Sequence, residues 1–317
     1  MSDTLEFRPF GSTGEQVSLI GLGGAYLDKH SLADGVSTVR RALELGVTYF
    51  DTAPAYCSGA SQIIMAKALE GRKEPYILAT KLGASFAKPA HHRSHDVLWA
   101  QLQDNLRLLR RNQVDVLQVH VVEFAHWWKD GVPSDQLLDM TASYDFQNAP
   151  VFQVLREAKD QGLCRFIGIT ADRSEELVKV LRHVDANTCL IAYGYNLIFR
   201  HARNVLLPLA RKKGAAQIIA GVVKQGALPL DLKHAAALPG WITPQVKESL
   251  TRLYRIQTEC GLSLATLAIR YLVADSNIST ILIGAATPDE IEEAVVAAQA
   301  GPLPSDLHQA IEELGTS

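Results

Sequence analysis

Eight short apolar runs, at residues 17–22, 47–50, 76–80, 114–119, 164–170, 188–193, 217–223 and 280–283, recur along the chain with helix-like stretches between them. Strand and helix in alternation imply a parallel sheet, and eight such strands are what a closed (β/α)8 TIM barrel takes. The helical period is clearest at Leu98, Leu102, Leu106 and Leu109, which share one face while Gln101, Asp104, Arg107 and Arg110 take the other. Gly46, Gly162 and Gly214 each follow a helical pattern and precede a run, as helix C-caps do. One barrel takes roughly 250 residues, so the 317 present, 47% hydrophobic and 21% charged, predict a single domain over 1–317. No internal repeat or Pro/Ser-rich linker divides the chain. The connections 123–148 and 224–244 exceed ordinary loop length. They follow the fourth and seventh runs, so both are expected over the face at the strands' C-terminal ends.

A net charge of −3 offers no basic footprint for nucleic acid or an anionic membrane, which points to a small-molecule partner. No apolar stretch approaches the roughly 20 residues of a membrane span, and the first nine residues lack the apolar core of a signal peptide. The expectation is a cytoplasmic protein. Cys57, Cys164, Cys189 and Cys260 stand singly, without metal-ligand spacing, and read as free thiols.

Asp51, Tyr56, Lys81 and His120 sit at or just past the C-terminal ends of the second, third and fourth runs. That edge is where parallel barrels build active sites. Singly, each residue has a plainer reading: Asp51 and Lys81 as a structural ion pair, Tyr56 as a loop aromatic, His120 as a satisfied histidine. Jointly, on one end of successive strands, they read as a catalytic group. His91, His92 and His95 lie in a polar loop with no acidic or cysteine partner pattern and read as a solvated loop or helix start rather than a metal site.

The stretch 11–24 ending Gly21-Leu-Gly-Gly24, then Tyr49-Phe-Asp-Thr-Ala-Pro-Ala-Tyr56, Ala79-Thr-Lys81, Gln118-Val-His120 and Arg165-Phe-Ile-Gly-Ile-Thr170 occur in this order. Together they resemble the aldo-keto reductase family over nearly the whole length. The pattern is most similar to the branch that oxidises free sugars such as L-galactose and L-fucose. The resemblance implies a (β/α)8 barrel with a nicotinamide cofactor and hydride transfer to or from a carbonyl carbon. Tyr56 is then the general acid/base, which requires a phenol easier to ionise than the usual value of about 10. Lys81 would supply that shift, Asp51 would orient Lys81, and His120, as a neutral imidazole, would donate a hydrogen bond to the substrate oxygen.

The same resemblance assigns the cofactor to Gly24, Ala25, Asp51, Thr170, Gly221, Val223, Lys224, Gly284, Ala285, Glu290 and Glu293. Glu290 stands where NADP-dependent members often carry an arginine. It reads either as a partner for the free ribose hydroxyl of NAD or as one of several acids on a helix start, and NAD is expected over NADP. Thr170-Ala171 replaces a frequent Ser-Asn pair, Ala192 a glutamine, and Ala220 a ring-stacking aromatic. The substrate would meet Tyr56, His120, Tyr26 and one of Trp127 and Trp128, although packing is the commoner fate of large aromatics. The expected activity is oxidation of a free aldose at its anomeric carbon to a lactone. The alternatives are an NADPH-dependent aldehyde or ketone reductase, a pyridoxal 4-dehydrogenase, or a regulatory cofactor-binding barrel subunit.

Overall fold

The computed structural model describes residues 4–83, 88–223 and 240–315. Strand alternation decides the architecture. In β4 (Tyr49–Asp51), β5 (Ile77–Leu82) and β6 (Val114–Val119), every second residue points to the barrel interior, so Tyr49, Ile77, Ala79 and Val116 meet in one inner apolar cluster. The larger cluster lies outside, between the strands and their helices. β3 (Ile20–Gly23), β4, β5, β6, β7 (Cys164–Ala171), β8 (Thr188–Ala192), β9 (Ala216–Ala220) and β10 (Thr280–Ile283) close as a parallel barrel, β10 pairing with β3.

One expected run divides. Residues 17–22 do not form a single strand: β2 (Gln16–Ser18) pairs antiparallel with β1 (Phe7–Pro9), and only Ile20–Gly23 joins the barrel. The break at Leu19 turns the chain from a hairpin into the first stave. That hairpin stoppers the N-terminal end, where Phe10 enters the inner cluster against Tyr49 and Phe166.

The helix His95–Leu109 buries Leu98, Leu102, Leu106 and Leu109 as the spacing predicts, with Ser94 capping its start. Gly46, Gly162 and Gly214 adopt φ of 85°, 73° and 71° just past helix ends, the left-handed conformation a C-cap needs. The four cysteines are free thiols. Among the described residues no helix is long and apolar enough to cross a membrane.

The 123–148 connection departs from expectation. It leaves the C-terminal end of β6 but folds down the flank of the barrel, where the Lys179 ammonium donates to the carbonyl oxygens of Asp139, Met140 and Ala142. Trp127 and Trp128 are buried as its anchors. Of the 224–244 connection, 224–239 lie outside the described residues.

Candidate active site

The last inward-facing positions of β4, β5 and β6 continue the alternation that fills the barrel, and there the apolar lining gives way to Asp51, Lys81 and Gln118, with His120 one step beyond. Asp51 is buried and doubly held. One oxygen accepts from the Lys81 ammonium, and the other accepts from Gln118 Nε2 at 2.7 Å. Lys81 also donates to Thr52 O at 2.9 Å. Gly168 makes room for Gln118, since a Cβ there would fall 2.7 Å from Gln118 Cγ. Burial lowers the Lys81 pKa and Asp51 opposes that shift. Breaking a buried pair of this kind costs about 3–5 kcal/mol.

Tyr56 reaches the group from a loop rather than a strand. Its turn contains consecutive left-handed residues, Cys57 (φ 55°) and Ser58 (φ 51°), before Gly59 at φ 92°. Non-glycine residues pay for that conformation, and such outliers gather at functional sites. The Cys57 thiol donates to Gly24 O, tying the turn to the end of β3. The Tyr56 ring lies edge-on to His120 at 5.5 Å and 4.6 Å from Lys81 Nζ.

The electrostatics correct one expectation. Burial pushes the Tyr56 phenol well above its usual value, and the Asp51 carboxylate adds to the rise. Lys81 does not offset that rise, because its charge is balanced by Asp51 at contact distance and its ammonium faces the ring of Tyr56. The resting group is a protonated phenol.

His120 is neutral as expected: burial, followed by the Lys81 charge, pulls its pKa down to about 3. Its donor is spent, however. Nδ1 lies 3.3 Å from Gly83 O, and a carbonyl only accepts, so Nδ1 carries the proton and Nε2 is left as an acceptor. In this tautomer the ring receives a substrate O–H instead of donating to a carbonyl. The next residue, Val121, has φ 56°, a rare conformation for a β-branched side chain. Thr170 Oγ1 steadies it, accepting from Val121 N at 3.0 Å and donating to Val119 O at 3.2 Å.

Above these groups opens a cavity of about 620 Å³, within the ~300–1,000 Å³ of small-molecule sites. Asp51, Tyr56, Lys81, His120, Ala25, Tyr26, Thr170, Gly221, Val223, Gly284, Ala285, Glu290 and Glu293 all border it. Several are already engaged. Thr170 holds the Val121 turn, Glu293 accepts from the Ser263 hydroxyl at 2.6 Å, and Glu290 accepts from Ala286 N at 2.7 Å. Thr287 Oγ1 accepts from Glu290 N in return, so Glu290 is part of a helix cap as well as a cavity carboxylate. Tyr26 packs over Gly284, just past the end of β10.

Three expectations fail. Gly24 is not in the lining. It is buried where a Cβ would fall 2.3 Å from Ser61 Oγ, and its neighbour Gly23 borders the cavity instead. Neither Trp127 nor Trp128 reaches the cavity: their indole N–H groups donate to His120 O and Val122 O, and Trp128 packs on Phe146 and Phe152. His92 is buried between His126 and Trp127, not solvated, while His95 pairs with Glu157 at a helix start. Among the described residues no group of three His, Cys, Asp or Glu could hold a metal. Lys224 lies outside the described residues.

Lys29, Asp172 and Tyr193 border the cavity and were not anticipated. Asp172 and Tyr193 each follow the last residue of a strand, so the rule that picked out His120 applies to them too. Lys29 sits in a loop and carried no such signal.

The cavity suits a dinucleotide: backbone at three glycines, Gly23, Gly221 and Gly284, lines it without side chains, and the small residues Ala25, Ala171, Ala192 and Ala285 leave its walls flat. Comparison with known proteins agrees. The profile of the Aldo/keto reductase family matches residues 19–316. L-galactose dehydrogenase of Arabidopsis thaliana is 28% identical over 304 residues, covering 92% of this chain and 88% of that one. Pyridoxal 4-dehydrogenase of Microbacterium luteolum is 24% identical, covering 92% of each. The holo form of an aldo-keto reductase of Bacillus halodurans superposes with a TM-score of 0.77 at 25% identity, covering 98% of this chain and 97% of that one.

Proposed function

This chain belongs to the aldo/keto reductase family, and on that premise we propose that it oxidises a free aldose at the anomeric carbon with NAD, yielding a lactone. The observation that carries the reading is the joint placement of Tyr56 and His120 beside the buried Asp51–Lys81 pair at the base of the cavity. When bound, the oxidised nicotinamide supplies the hydride acceptor. The chain's own residues handle the proton and the geometry. His120 Nε2 receives the hydroxyl next to the anomeric one and so sets the angle of the C–O bond. Tyr56 takes the anomeric hydroxyl proton as phenolate and, in the reverse direction, returns it as phenol. Gln118 holds Asp51, Asp51 fixes Lys81 beside the Tyr56 ring, and the burial of all three keeps bulk water from the transfer.

The acceptor tautomer of His120 favours a substrate with a second hydroxyl beside the reacting one, and the likeness to a plant L-galactose dehydrogenase supports a sugar. Backbone around Gly221 and Gly284, with Ala285 and Val223, would hold the cofactor, and Lys29 brings an exposed ammonium to the margin. Glu290 keeps a negative charge there, which disfavours the extra phosphate of NADP. The likeness to pyridoxal 4-dehydrogenase supports a second reading, in which the alcohol is a pyridoxal hemiacetal.

A panel of free aldoses, pyridoxal and simple aldehydes, each with NAD and NADP and followed by reduced-nicotinamide absorbance, tests this. The expected result is oxidation of an aldose with NAD preferred at least ~10-fold in kcat/KM, a difference of about 1.4 kcal/mol. Glu290→Gln, which preserves an acceptor for Ala286 N, should narrow that preference. Faster turnover of pyridoxal than of every aldose would select the second reading, and equal use of NADP would remove the role given to Glu290.

A further inference from the structure

His120 is held by neighbours at its amide, its carbonyl and one ring nitrogen, which leaves Nε2 to the cavity. The amide donates to Leu82 O at 3.0 Å, Nδ1 lies 3.3 Å from Gly83 O, and the carbonyl oxygen accepts from Trp127 Nε1 at 3.2 Å. β6 ends at Val119 and Val121 adopts φ 56°, so the His120 carbonyl lies past the strand ladder and takes the indole as its donor.

The same indole lies against Gly83. That glycine has φ 96°, and a Cβ there would fall 2.5 Å from Trp127 Cζ2 and 2.8 Å from Cη2, so the edge of the ring rests directly on the Gly83 backbone. The Gly83 amide donates to Gln101 Oε1 at 2.6 Å, from the helix His95–Leu109. Trp127 is fixed in turn: it is fully buried, its carbonyl oxygen accepts from Arg93 at 3.2 Å, and the His92 ring meets it edge-on at 4.4 Å. One indole thus grips both partners of the His120–Gly83 hydrogen bond. Gly83, Gln101 and Trp127 all lie outside the cavity lining, so this grip acts from behind the site.

We propose that Trp127 is a positioning residue that fixes the tautomer of His120, holding the Gly83 carbonyl against Nδ1 and the His120 carbonyl against its own N–H. The proton then stays on Nδ1, and Nε2 remains the acceptor that faces the cavity. Which ring nitrogen of a neutral histidine is protonated is set by the hydrogen bond the ring makes, and one such bond is worth a factor of about 2–13 in population. If the Gly83 carbonyl swings away, the proton is free to move to Nε2, and the ring donates toward substrate where it had accepted. Trp128 supplies the contrast. Its indole also donates to a backbone carbonyl, Val122 O at 2.9 Å, but its ring packs on Phe146 and Phe152. The kinetic consequence rests on reading His120 as the group that orients substrate; the tautomer does not depend on that reading.

Nitrogen NMR of the full chain with isotope-labelled histidine, free of ligand, reads the tautomer directly; the His120 signals are those lost in His120→Asn. Wild type should show a protonated Nδ1 and a lone pair on Nε2. Trp127→Phe keeps a ring but loses the N–H and the edge that rests on Gly83. It should raise the Nε2-protonated population at least about twofold and lower kcat for the best aldose by about 10–100-fold, the scale of a misplacement of about 1 Å, with the dissociation constant for NAD near that of wild type. Trp128→Phe loses the matching bond in the same loop and should leave tautomer and kcat unchanged. Gln101→Leu, at a partly exposed helix position, removes the other hold on Gly83 and should shift the tautomer the same way, so it carries the test if Trp127→Phe does not fold. An unchanged tautomer in Trp127→Phe, or in Gln101→Leu where Trp127→Phe does not fold, overturns the proposal, as does an equal shift in Trp128→Phe. A shifted tautomer with unchanged kcat upholds the grip on His120 and overturns instead the part given to His120 in orienting substrate.

Discussion

Tyr56 carries the reaction in this account, and its surroundings set the direction in which pH acts. Burial and the Asp51 carboxylate hold the phenol well above its usual value of about 10. The base form needed for oxidation is therefore scarce at neutral pH and increases tenfold per pH unit as long as pH stays below that pKa. Oxidation, measured where hydride transfer limits the rate, should rise with pH without levelling below about 10. A plateau at or below pH 9 would mean that the Lys81 charge outweighs burial. The sequence names Tyr56 and Lys81 by type and position, but the sign of the shift depends on how Lys81 divides itself between Asp51, Thr52 O and Tyr56. That division is set by distances no spacing encodes. His120 is similar: its neutrality follows from being buried near an ammonium, whereas its tautomer follows from the Gly83 carbonyl.

At the scale of elements, period-two alternation made most of the site legible. Ile77, Ala79 and Lys81 lie along one face of β5, and Val116, Gln118 and His120 along one face of β6, so the inward polar positions could be read from the runs themselves. Gln118 follows from the same alternation, although it stands inside the run instead of at its end. The loop after β6 was misjudged for a different reason. Its paired tryptophans have the composition of a sugar-binding surface, yet each indole N–H finds a backbone carbonyl at the barrel rim and each ring is buried. Trp128→Ala should accordingly cost about 3–5 kcal/mol of stability through the cavity left against Phe146 and Phe152, while the KM for substrate in the folded enzyme stays within twofold or so. Denaturant melts and steady-state kinetics check both halves, and a tenfold rise in KM with unchanged stability would return the loop to the substrate pocket.

For the whole molecule, buried histidines dominate the response to acid. His92 is held neutral with its pKa down at about 4 and His120 at about 3, while the unfolded chain protonates each near 6.5. Between pH 6.5 and 4 the unfolded state binds the extra protons, so stability falls as pH falls through that window. Glu123 acts oppositely. Burial raises it to about 7, so the folded state gains its proton first, offsetting part of the loss. Thermal melts should show a falling midpoint from pH 6.5 toward 4, and His92→Leu should remove about one proton's worth of that slope, roughly 1.4 kcal/mol per pH unit. An unchanged slope would place the acid-sensitive groups elsewhere.

The barrel itself was the most legible part, because eight runs with helices between them admit few other closures. The divided first run was not, since residues 17–22 keep their apolar pattern across the Leu19 break and only pairing with β1 distinguishes hairpin from stave. The central claim is that this barrel's C-terminal rim performs proton-coupled hydride transfer through one hydroxyl. Lys81 and Asp51 variants confound chemistry with the loss of a buried ion pair, whereas Tyr56→Phe removes a single oxygen. Turnover of the best aldose with NAD should fall by about 10²–10⁴-fold in Tyr56→Phe while the dissociation constant for NAD stays near that of wild type. Turnover within a few-fold of wild type, in a variant that still binds NAD, would contradict the account.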